Sequence, residues 1–362
     1  MAEGLLQYKC PCCGGAIEFD PSLQKVKCPY CDTEFDFNTL KQYDESLSKV
    51  KPEDMKWQKE AGSEWTEDEA SGMRVYVCKS CGGSIVADQN TAATTCPYCG
   101  NPLVMMGNLG GDLKPDYIIP FRFDKEAAKK QYREFLSTKR LLPSVFKDEN
   151  HIDEIKGVYV PFWLFDTDVD AQFRFKGEKV SVRQDNQFEY RDHSYYNVSR
   201  AGDLKFSHVP VDGSKQMDDA LMQSIEPFDF SKAVPFQTAY LAGFMADRYD
   251  VSKEDSIDAA NKRIKESIRQ AFMETVSGYS SAVPISESIQ LKNGKSNYAL
   301  YPVWLLNTTW NGQRYTFAMN GETGKFVGNL PVDEKAYKKL WWKVFLIASV
   351  AAYAASWLIY LL

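Results

Sequence analysis

Eight of the nine cysteines form four Cys-x-x-Cys pairs, and all nine lie before residue 100. In each of two blocks, fourteen residues separate one pair from the next. A two-residue spacing makes a tight turn that directs both sulfur atoms to one side, and two such turns complete a tetrahedral shell of four thiolates. The sequence therefore predicts two metal sites. Their ligands are Cys10, Cys13, Cys28 and Cys31 in the first block and Cys78, Cys81, Cys96 and Cys99 in the second.

The two blocks form an internal repeat, because Cys10 to Cys31 superposes on Cys78 to Cys99 at a shift of 68 residues. Each block carries Gly-Gly after its first pair and ends on Cys-Pro-Tyr-Cys. Ser80 occupies the place of Cys12 in the second block. A hydroxyl does not replace a thiolate ligand, so the ninth cysteine is excluded from the first site.

We expect one structural Zn2+ in each site. A closed shell of four thiolates leaves no position for a reacting water, and such a zinc contributes folding free energy on the order of 10 kcal/mol. Iron or an iron–sulfur cluster is the alternative occupant of the same ligands. A set of disulfides is a second alternative. It is disfavoured because the N-terminus shows no signal peptide and a reducing compartment keeps thiols reduced.

The composition indicates a folded chain with an acidic cysteine-rich part. An apolar content of 44% with 25% charged residues is typical of globular proteins, and 362 residues allow two or three domains. Residues 1–107 hold 10 Lys and Arg against 16 Asp and Glu, whereas the remainder holds 33 of each. Because nucleic acids are bound chiefly through basic side chains, this distribution disfavours a nucleic-acid partner.

The chain after the cysteines predicts an α+β body with an antiparallel sheet. Proline enters aromatic runs at 160–165 and 301–306, which is typical of strands, and Asn320-Gly321 indicates a hairpin turn. The runs at 161–167 and 302–308 align with each other, so two related lobes are an alternative organisation of the body.

Two helices are predicted within this body. Asp124 caps the first, which continues through Ser137, and Ser252 begins the second, which continues to the vicinity of Val276. Ala128, Tyr132 and Phe135 place apolar side chains on one face of the first helix.

The C-terminal residues 344–362 contain no charged side chain, and 19 helical residues span about 28 Å, close to the hydrocarbon layer of a bilayer. Lysines between Lys335 and Lys343 precede this run, which by the positive-inside rule places the N-terminal bulk in the cytoplasm. The sequence therefore predicts a single-pass tail anchor in the cell membrane. Alanines at small-xxx-small spacing suggest helix–helix association through this segment. A buried core helix is the alternative.

The predicted organisation is multidomain, with two small β zinc ribbons, the α+β body and one C-terminal transmembrane helix. The predicted segments are zinc ribbon 1 (1–40), a charged linker (41–75), zinc ribbon 2 (76–107), the α+β body (108–332), a basic juxtamembrane segment (333–343) and the tail anchor (344–362).

The body carries no recognisable catalytic motif. A phosphate-binding loop, a Rossmann glycine fingerprint, an HExxH zinc motif and a nucleophile elbow are all absent from the sequence. His151, His193 and His208 lie in polar segments without metal-ligand spacing. Asp192-His193-Ser194 has the residue types of a triad, but neighbours in sequence cannot face one another as a triad requires. We therefore expect no enzymatic activity.

The ribbon pair, together with Ile119–Phe123, Gly157–Trp163, Pro302-x-Trp304 and the terminal apolar run, resembles bacterial membrane-anchored double zinc-ribbon proteins. Such proteins are often labelled TFIIB-type zinc-ribbon or primosomal-replication-factor-like, although the ribbon is shared by proteins of unrelated function. Relatives are encoded beside phage-shock-type and flotillin-like proteins. The resemblance implies eight cysteine ligands, no catalytic residues and an adaptor that collects such partners.

The sequence thus predicts a membrane-tethered zinc-ribbon adaptor or scaffold that docks cytosolic or membrane proteins in an envelope-stress response. Its expected partners are the lipid bilayer and phage-shock or flotillin-like proteins. The alternative function is nucleic-acid binding through the ribbons in replication or transcription, as the labels of the similar proteins suggest.

Overall fold

The computed structural model describes most of the chain after residue 60 and short stretches before it. The described residues are 17–20, 25–30, 33–36, 57, 61–89, 91, 95–139, 141–148, 152–185 and 187–361. They belong to two compact units. The first unit lies within Met1–Glu60, Phe165–Val209 and Ile257–Ser296, and the second within Ala61–Leu164, Pro210–Ser256 and Asn297–Leu362.

Strands dominate the described residues. The strands are β1 (Glu18–Asp20), β2 (Lys25–Lys27), β3 (Glu34–Phe35), β4 (Met73–Val77), β5 (Ser84–Asp88), β6 (Val104–Asn108), β7 (Tyr117–Ile118), β8 (Lys156–Gln184), β9 (Glu189–Asp212), β10 (Val234–Pro235), β11 (Met245–Asp247), β12 (Ser281–Trp310), β13 (Gln313–Asn320) and β14 (Phe326–Gly328). The α-helices are α1 (Glu67–Ser71), α2 (Lys125–Ser137), α3 (Asp219–Ile225), α4 (Lys253–Glu274) and α5 (Glu334–Leu361).

The strands form a small antiparallel sheet, ordered β1-β2-β3, and a large mixed sheet. The large sheet has eleven strands and follows the order β10-β7-β12-β8-β11-β5-β4-β6, with β9 paired to β8, β13 to β12 and β14 to β13. β7 runs parallel to β12, and β11 runs parallel to β8. β5, which lies within the predicted second ribbon (76–107), and β4, which ends at its start, are antiparallel neighbours within this sheet.

The predicted fold class is therefore wrong. The body is mostly β, and its sheet is mixed where an antiparallel sheet was predicted. Strand-forming sequence shows where a strand lies, but the direction of pairing depends on the connections between strands. The parallel pairs arise from β7 and β11, which are two and three residues long and too short to leave a pattern in the sequence.

The C-terminal helix α5 combines a charged start with an apolar continuation. Its first ten residues include the charged side chains Glu334, Lys335, Lys338, Lys339 and Lys343. Within the part of the chain that the structure describes, no helix has both the length and the apolarity needed to cross a membrane. The predicted tail anchor over residues 344–362, and with it the single-pass placement in the cell membrane, is therefore wrong. Charged side chains in a helix are costly in hydrocarbon.

In the first unit, α4 packs on one face of β8. The strand alternates buried and more exposed residues over 169–175, as a strand with one covered face does. Ile264, Ile268 and Phe272 recur every four residues and form the buried face of α4. The ring of Phe272 stacks on that of Phe173, with centroids 4.6 Å apart.

In the second unit, β12 is buried on both faces and contributes to two apolar clusters. Val303 and Leu305 lie in the cluster that also contains the β8 residues Phe162 and Leu164. Trp304, on the opposite face of β12, lies in the cluster that includes α2. A strand covered on both faces is apolar without interruption, which explains the continuous aromatic run read from the sequence.

The two predicted helices are confirmed, together with their caps. The Asp124 carboxylate accepts the backbone N–H of Ala127 at 2.8 Å at the start of α2. Ser252 Oγ accepts the N–H of Asp255 at 3.1 Å at the start of α4. β13 and β14 pair antiparallel on either side of the predicted turn at Asn320-Gly321.

Candidate metal centre

The first Cys-x-x-Cys turn of the second block joins β4 to β5. The N–H of Cys78 donates to the carbonyl of Gly83 at 2.8 Å, and the N–H of Gly82 donates to the carbonyl of Cys78 at 2.9 Å. Gly82 has a φ of +79°, a left-handed conformation that glycine adopts without strain. The antiparallel pair therefore holds Cys78 and Cys81 on a fixed turn at its end.

The second Cys-x-x-Cys turn repeats these backbone hydrogen bonds. The N–H of Cys96 donates to the carbonyl of Asn101 at 2.8 Å, and that of Gly100 donates to the carbonyl of Cys96 at 3.0 Å. Gly100 has a φ of +73°. The sequence repeat within the block is thus matched by a repeat of backbone geometry.

The four sulfur atoms of the two turns meet in one cluster, with all of them within 4.8 Å of one another. Cys78 Sγ lies 3.4 Å from Cys99 Sγ, and Cys81 Sγ lies 3.7 Å from Cys96 Sγ. With a zinc–sulfur bond of about 2.3 Å, the edges of a regular tetrahedron measure about 3.8 Å. Four cysteines therefore lie close enough to hold one metal ion, and the cofactor prediction is confirmed to that extent.

Burial opposes ionisation of part of the cluster. Cys78 and Cys96 are buried, and Cys81 and Cys99 are half-buried. Burial raises the pKa of the Cys81 and Cys96 thiols. Burial acts in the same direction on Cys99, but hydrogen bonds from the Asn101 backbone and side chain and from neighbouring thiols outweigh it and lower the pKa of Cys99 to about 7. A metal ion that binds four thiolates must displace the protons of the buried members.

Three side chains of the sheet hold the loop that carries Cys96 and Cys99. Lys156 Nζ on β8 donates to the carbonyl of Thr95 at 3.0 Å and also contacts the Thr95 hydroxyl. Asn307 Nδ2 on β12 donates to the carbonyl of residue 97. Arg314 on β13 donates from its guanidinium to the carbonyl of residue 98 at 3.2 Å. These strands therefore fix the second turn against the sheet, and β4 and β5 fix the first.

The Tyr98 side chain of the same loop is buried near a buried carboxyl group. Tyr98 is 5% exposed and Asp247, at the end of β11, is 2% exposed. Burial, followed by the charge of Asp247, raises the pKa of the Tyr98 hydroxyl well above its usual value. Burial also raises the pKa of Asp247 to about 7, while Ser214 Oγ donates to Asp247 Oδ2 at 2.5 Å. The loop is thus packed into a protected part of the second unit.

Comparison with known proteins covers nearly the whole chain. The chain is 32% identical over 329 residues to a Bacillus subtilis (strain 168) protein described as uncharacterized protein YdjG, and the match covers 91% of each chain. The chain belongs to the YdjG family. No family model matches the sequence, and no solved structure matches it.

Of the four predicted ligands in the first cysteine block of this YdjG-family chain, one, Cys28, is among the described residues. Cys28 is buried and lies between β2 and β3. Its N–H donates to the carbonyl of Thr33 at 3.0 Å. Cys78 and Cys96 make the equivalent bond, each to the carbonyl five residues later in the chain. The other three predicted ligands of this block, Cys10, Cys13 and Cys31, and the excluded Cys12 lie outside the described residues.

The histidines of the YdjG-family chain do not contribute to the cluster in the described residues. His193 Nδ1 lies 2.5 Å from Glu178 Oε1, and the backbone N–H of His208 donates to Asp166 at 2.6 Å. His151 lies outside the described residues. Asp192 pairs with Arg183, with Oδ2 2.8 Å from a guanidinium nitrogen, so its carboxylate does not orient His193.

Sequence reasoning missed the three side chains that hold the cysteine loop. Lys156, Asn307 and Arg314 lie 61, 210 and 216 residues from the carbonyls that they bind. Nothing in their local sequence distinguishes them from other polar residues on strands, since only the folded sheet brings them to the loop. Alternation along β12 could have placed Asn307 on the face of Val303 and Leu305, but not opposite a cysteine loop.

Proposed function

We propose that this YdjG-family protein is a protein-interaction adaptor whose sheet is held together by a structural Zn2+ on Cys78, Cys81, Cys96 and Cys99. The observation that carries the metal assignment is the closed cluster of four sulfur atoms on two turns with matching backbone hydrogen bonds. Four thiolates fill the tetrahedral shell of zinc and leave no position for a substrate or water. The metal is therefore structural.

The role of this zinc is to join two turns of the second unit. Cys78 and Cys81 belong to the β4–β5 turn, whereas Cys96 and Cys99 belong to the loop held by Lys156, Asn307 and Arg314. Structural zinc sites contribute about 10–16 kcal/mol of apparent binding free energy at neutral pH, which becomes folding free energy when the apo site is not preformed. That is comparable to the whole stability of an ordinary domain.

By the sequence repeat, the proposal extends to a second Zn2+ on Cys10, Cys13, Cys28 and Cys31. The bond from Cys28 to Thr33 supports it, since it is the bond that both turns of the second block make. Metal analysis of the full chain tests both assignments. Two zinc ions per chain are expected, and one zinc would limit the proposal to the second block. Iron as the purified metal, or no metal, would refute the zinc assignment.

The adaptor assignment rests on an exposed apolar surface at the far end of the β8–β9 hairpin in the first unit. We call it the hairpin patch. Its members lie on both faces of the hairpin, because successive strand residues alternate, and they are Val182, Phe188, Tyr190, Tyr195 and Tyr196, which are 58%, 62%, 48%, 52% and 42% exposed. Large apolar side chains that remain exposed in a group are typical of protein-binding surfaces, and aromatic residues are enriched there.

The charges around the hairpin patch favour a protein partner over a nucleic acid. Arg183 pairs with Asp192 at 2.8 Å, and Arg191 pairs with Glu189 at 2.6 Å. These pairs neutralise both arginines, and residues 176–192 as a whole hold four Lys and Arg against four Asp and Glu. A surface without excess positive charge lacks the main source of affinity for nucleic acids.

A crosslinked pull-down with the full chain tests the adaptor assignment. The test variant is Phe188→Ser, Tyr190→Ser, and the matched control is Met105→Ser, Met106→Ser, which removes exposed apolar side chains from β6 in the second unit. We expect the test variant to lose partners that the wild type and the control retain. The phage-shock-type and flotillin-like proteins suggested by the sequence resemblance are the first candidates. Equal partner sets for all three proteins would refute the role of the hairpin patch.

A further inference from the structure

Two cations hold the cysteine loop by hydrogen bonds to its backbone carbonyls. Within the described part of the chain, Lys156 and Arg314 make no salt bridge with Asp or Glu. Their hydrogen bonds go to the carbonyls of residues 95 and 98, on either side of Cys96. Lys156 and Cys96 also line the same cavity, of about 270 Å3. Glu154 lines this cavity as well. Both cations are thus attached to the second cysteine turn through its backbone carbonyls.

The placement of Lys156 is costly unless an anion compensates it. Lys156 is half-buried, and burial lowers the pKa of its ammonium, a shift that the charges of Cys96 and then Glu154 oppose. A cluster of four neutral thiols carries no charge that could offset a partly buried ammonium. A divalent metal bound by four thiolates carries a net charge of minus two, which two neighbouring cations balance.

We infer that Lys156 and Arg314 are positioning residues of the metal centre, which stabilise the negatively charged metal–tetrathiolate complex by their charge and so raise its affinity for zinc. The inference rests on the proposed zinc site and adds the residues that tune it. Groups outside the ligand shell of a metal commonly change its affinity by 10–100-fold. Each cation acts on the metal centre through the carbonyl group that it binds. Lys156 binds the carbonyl of Thr95, the residue before Cys96, and Arg314 binds that of Tyr98, which lies between Cys96 and Cys99.

Asn307 separates this electrostatic role from mere positioning of the loop. It binds the carbonyl of residue 97, between those bound by Lys156 and Arg314, but its amide is neutral. Removing Asn307 loosens the loop and leaves the charge unchanged. Removing Lys156 has both effects. If the charge of Lys156 matters, removing Lys156 weakens zinc binding more than removing Asn307. If both residues only hold the loop, the two losses are equal.

The experiment measures the zinc dissociation constant of the full chain by competition with a chromophoric chelator. Lys156→Met should weaken zinc binding by about 10–100-fold, and Lys156→Arg should restore most of it. Asn307→Leu should have a clearly smaller effect. Lys147→Met is the matched control, because Lys147 also donates to a carbonyl, that of Lys139 at 3.5 Å, away from the cluster. It should bind zinc as the wild type does.

A second measurement responds to charge alone. In the iron-loaded protein, the reduced centre carries a net charge of minus two and the oxidised centre minus one. Loss of a nearby cation destabilises the reduced centre more, so Lys156→Met should shift the reduction potential to a more negative value, and Asn307→Leu should shift it less. If Lys156→Met does not fold, Arg314→Gln, at an exposed position, should change affinity and potential in the same directions.

The outcomes distinguish the inference from the proposed function. Zinc binding by the wild type with unchanged affinity in Lys156→Met and Arg314→Gln would overturn the inference alone. Equal losses in Lys156→Met and Asn307→Leu without a difference in potential would overturn it as well, because the cation would then only hold the loop. A wild type that binds no metal would refute the proposed metal centre and the inference with it.

Discussion

The Asp247→Asn variant should gain stability relative to the wild type as the pH rises from acidic to alkaline values. Asp247 is 2% exposed, and within the described residues its Oδ1 has no hydrogen-bond partner. Burial raises its pKa from 3.8 to about 7. Asn keeps an acceptor for the Ser214 hydroxyl and does not ionise, so the variant avoids burying a charge above pH 7.

The sign follows from proton binding. Between pH 4 and 7 the folded state holds a proton on Asp247 that the unfolded state has lost, so the stability of the wild type falls as the pH rises through this window. Below pH 4 both states are protonated, and above pH 7 both are ionised. The difference between pKa values of 3.8 and about 7 corresponds to about 4 kcal/mol. This is the largest change expected between the two ends of the window.

Urea unfolding of the wild type and Asp247→Asn at pH 5.5, 7 and 8.5 measures the effect. The difference between the two proteins should move in favour of the variant by 1–3 kcal/mol over this narrower range, on the order of half the full effect. Any loss of metal at low pH affects both proteins and cancels in the difference. Asp124→Asn, at an exposed helix cap where Asn caps equally well, should show a difference that is constant with pH. A constant difference for Asp247→Asn would refute the assignment of a buried carboxyl with a raised pKa.

Three further predictions concern the metal and the cores. A metal chelator should lower the Tm of the wild type but not that of Cys81→Ser, because three thiolates no longer close the shell. Ser80→Ala, in the same turn, should respond to the chelator as the wild type does. Thermal unfolding with and without chelator compares the three proteins. Gly82→Ala should cost about 1–2 kcal/mol in urea unfolding, because an added Cβ meets nothing within 4 Å and only the left-handed φ is strained; a cost above about 4 kcal/mol would contradict the open space around it. Phe272→Ala should cost about 3–5 kcal/mol through loss of the stacked ring on Phe173, and metal analysis should show an unchanged zinc content.

Local patterns predicted the parts of the structure that depend on few neighbouring residues. The spacing of Cys78, Cys81, Cys96 and Cys99 predicted the cluster, because a turn of four residues already determines where its two sulfur atoms point. The caps at Asp124 and Ser252 predicted the starts of α2 and α4 for the same reason. Each of these features is decided by side chains within a few residues of one another.

The architecture of the sheet could not be predicted in this way. β7 and β11 owe their existence to the strands beside them, so their short sequences carry no periodicity. The second cysteine block looked like a separate ribbon, yet β5 pairs with β11 and makes the block part of the large sheet. The apolar run at the C-terminus was interpreted as a membrane span from its composition, an interpretation that the described helix does not support.

The distance in sequence between the cysteine loop and its anchors has a consequence for the order of assembly during synthesis. Arg314 follows the residue whose carbonyl it binds by 216 positions. At about 5–20 residues per second, a ribosome needs roughly 10–40 s to make that stretch. All four thiols of the cluster have emerged well before Arg314 exists, and they lie within 22 residues of one another. With the proposed zinc, the nascent chain can therefore bind the metal first and build the sheet around it, so that metal supply during translation would decide the yield of folded protein.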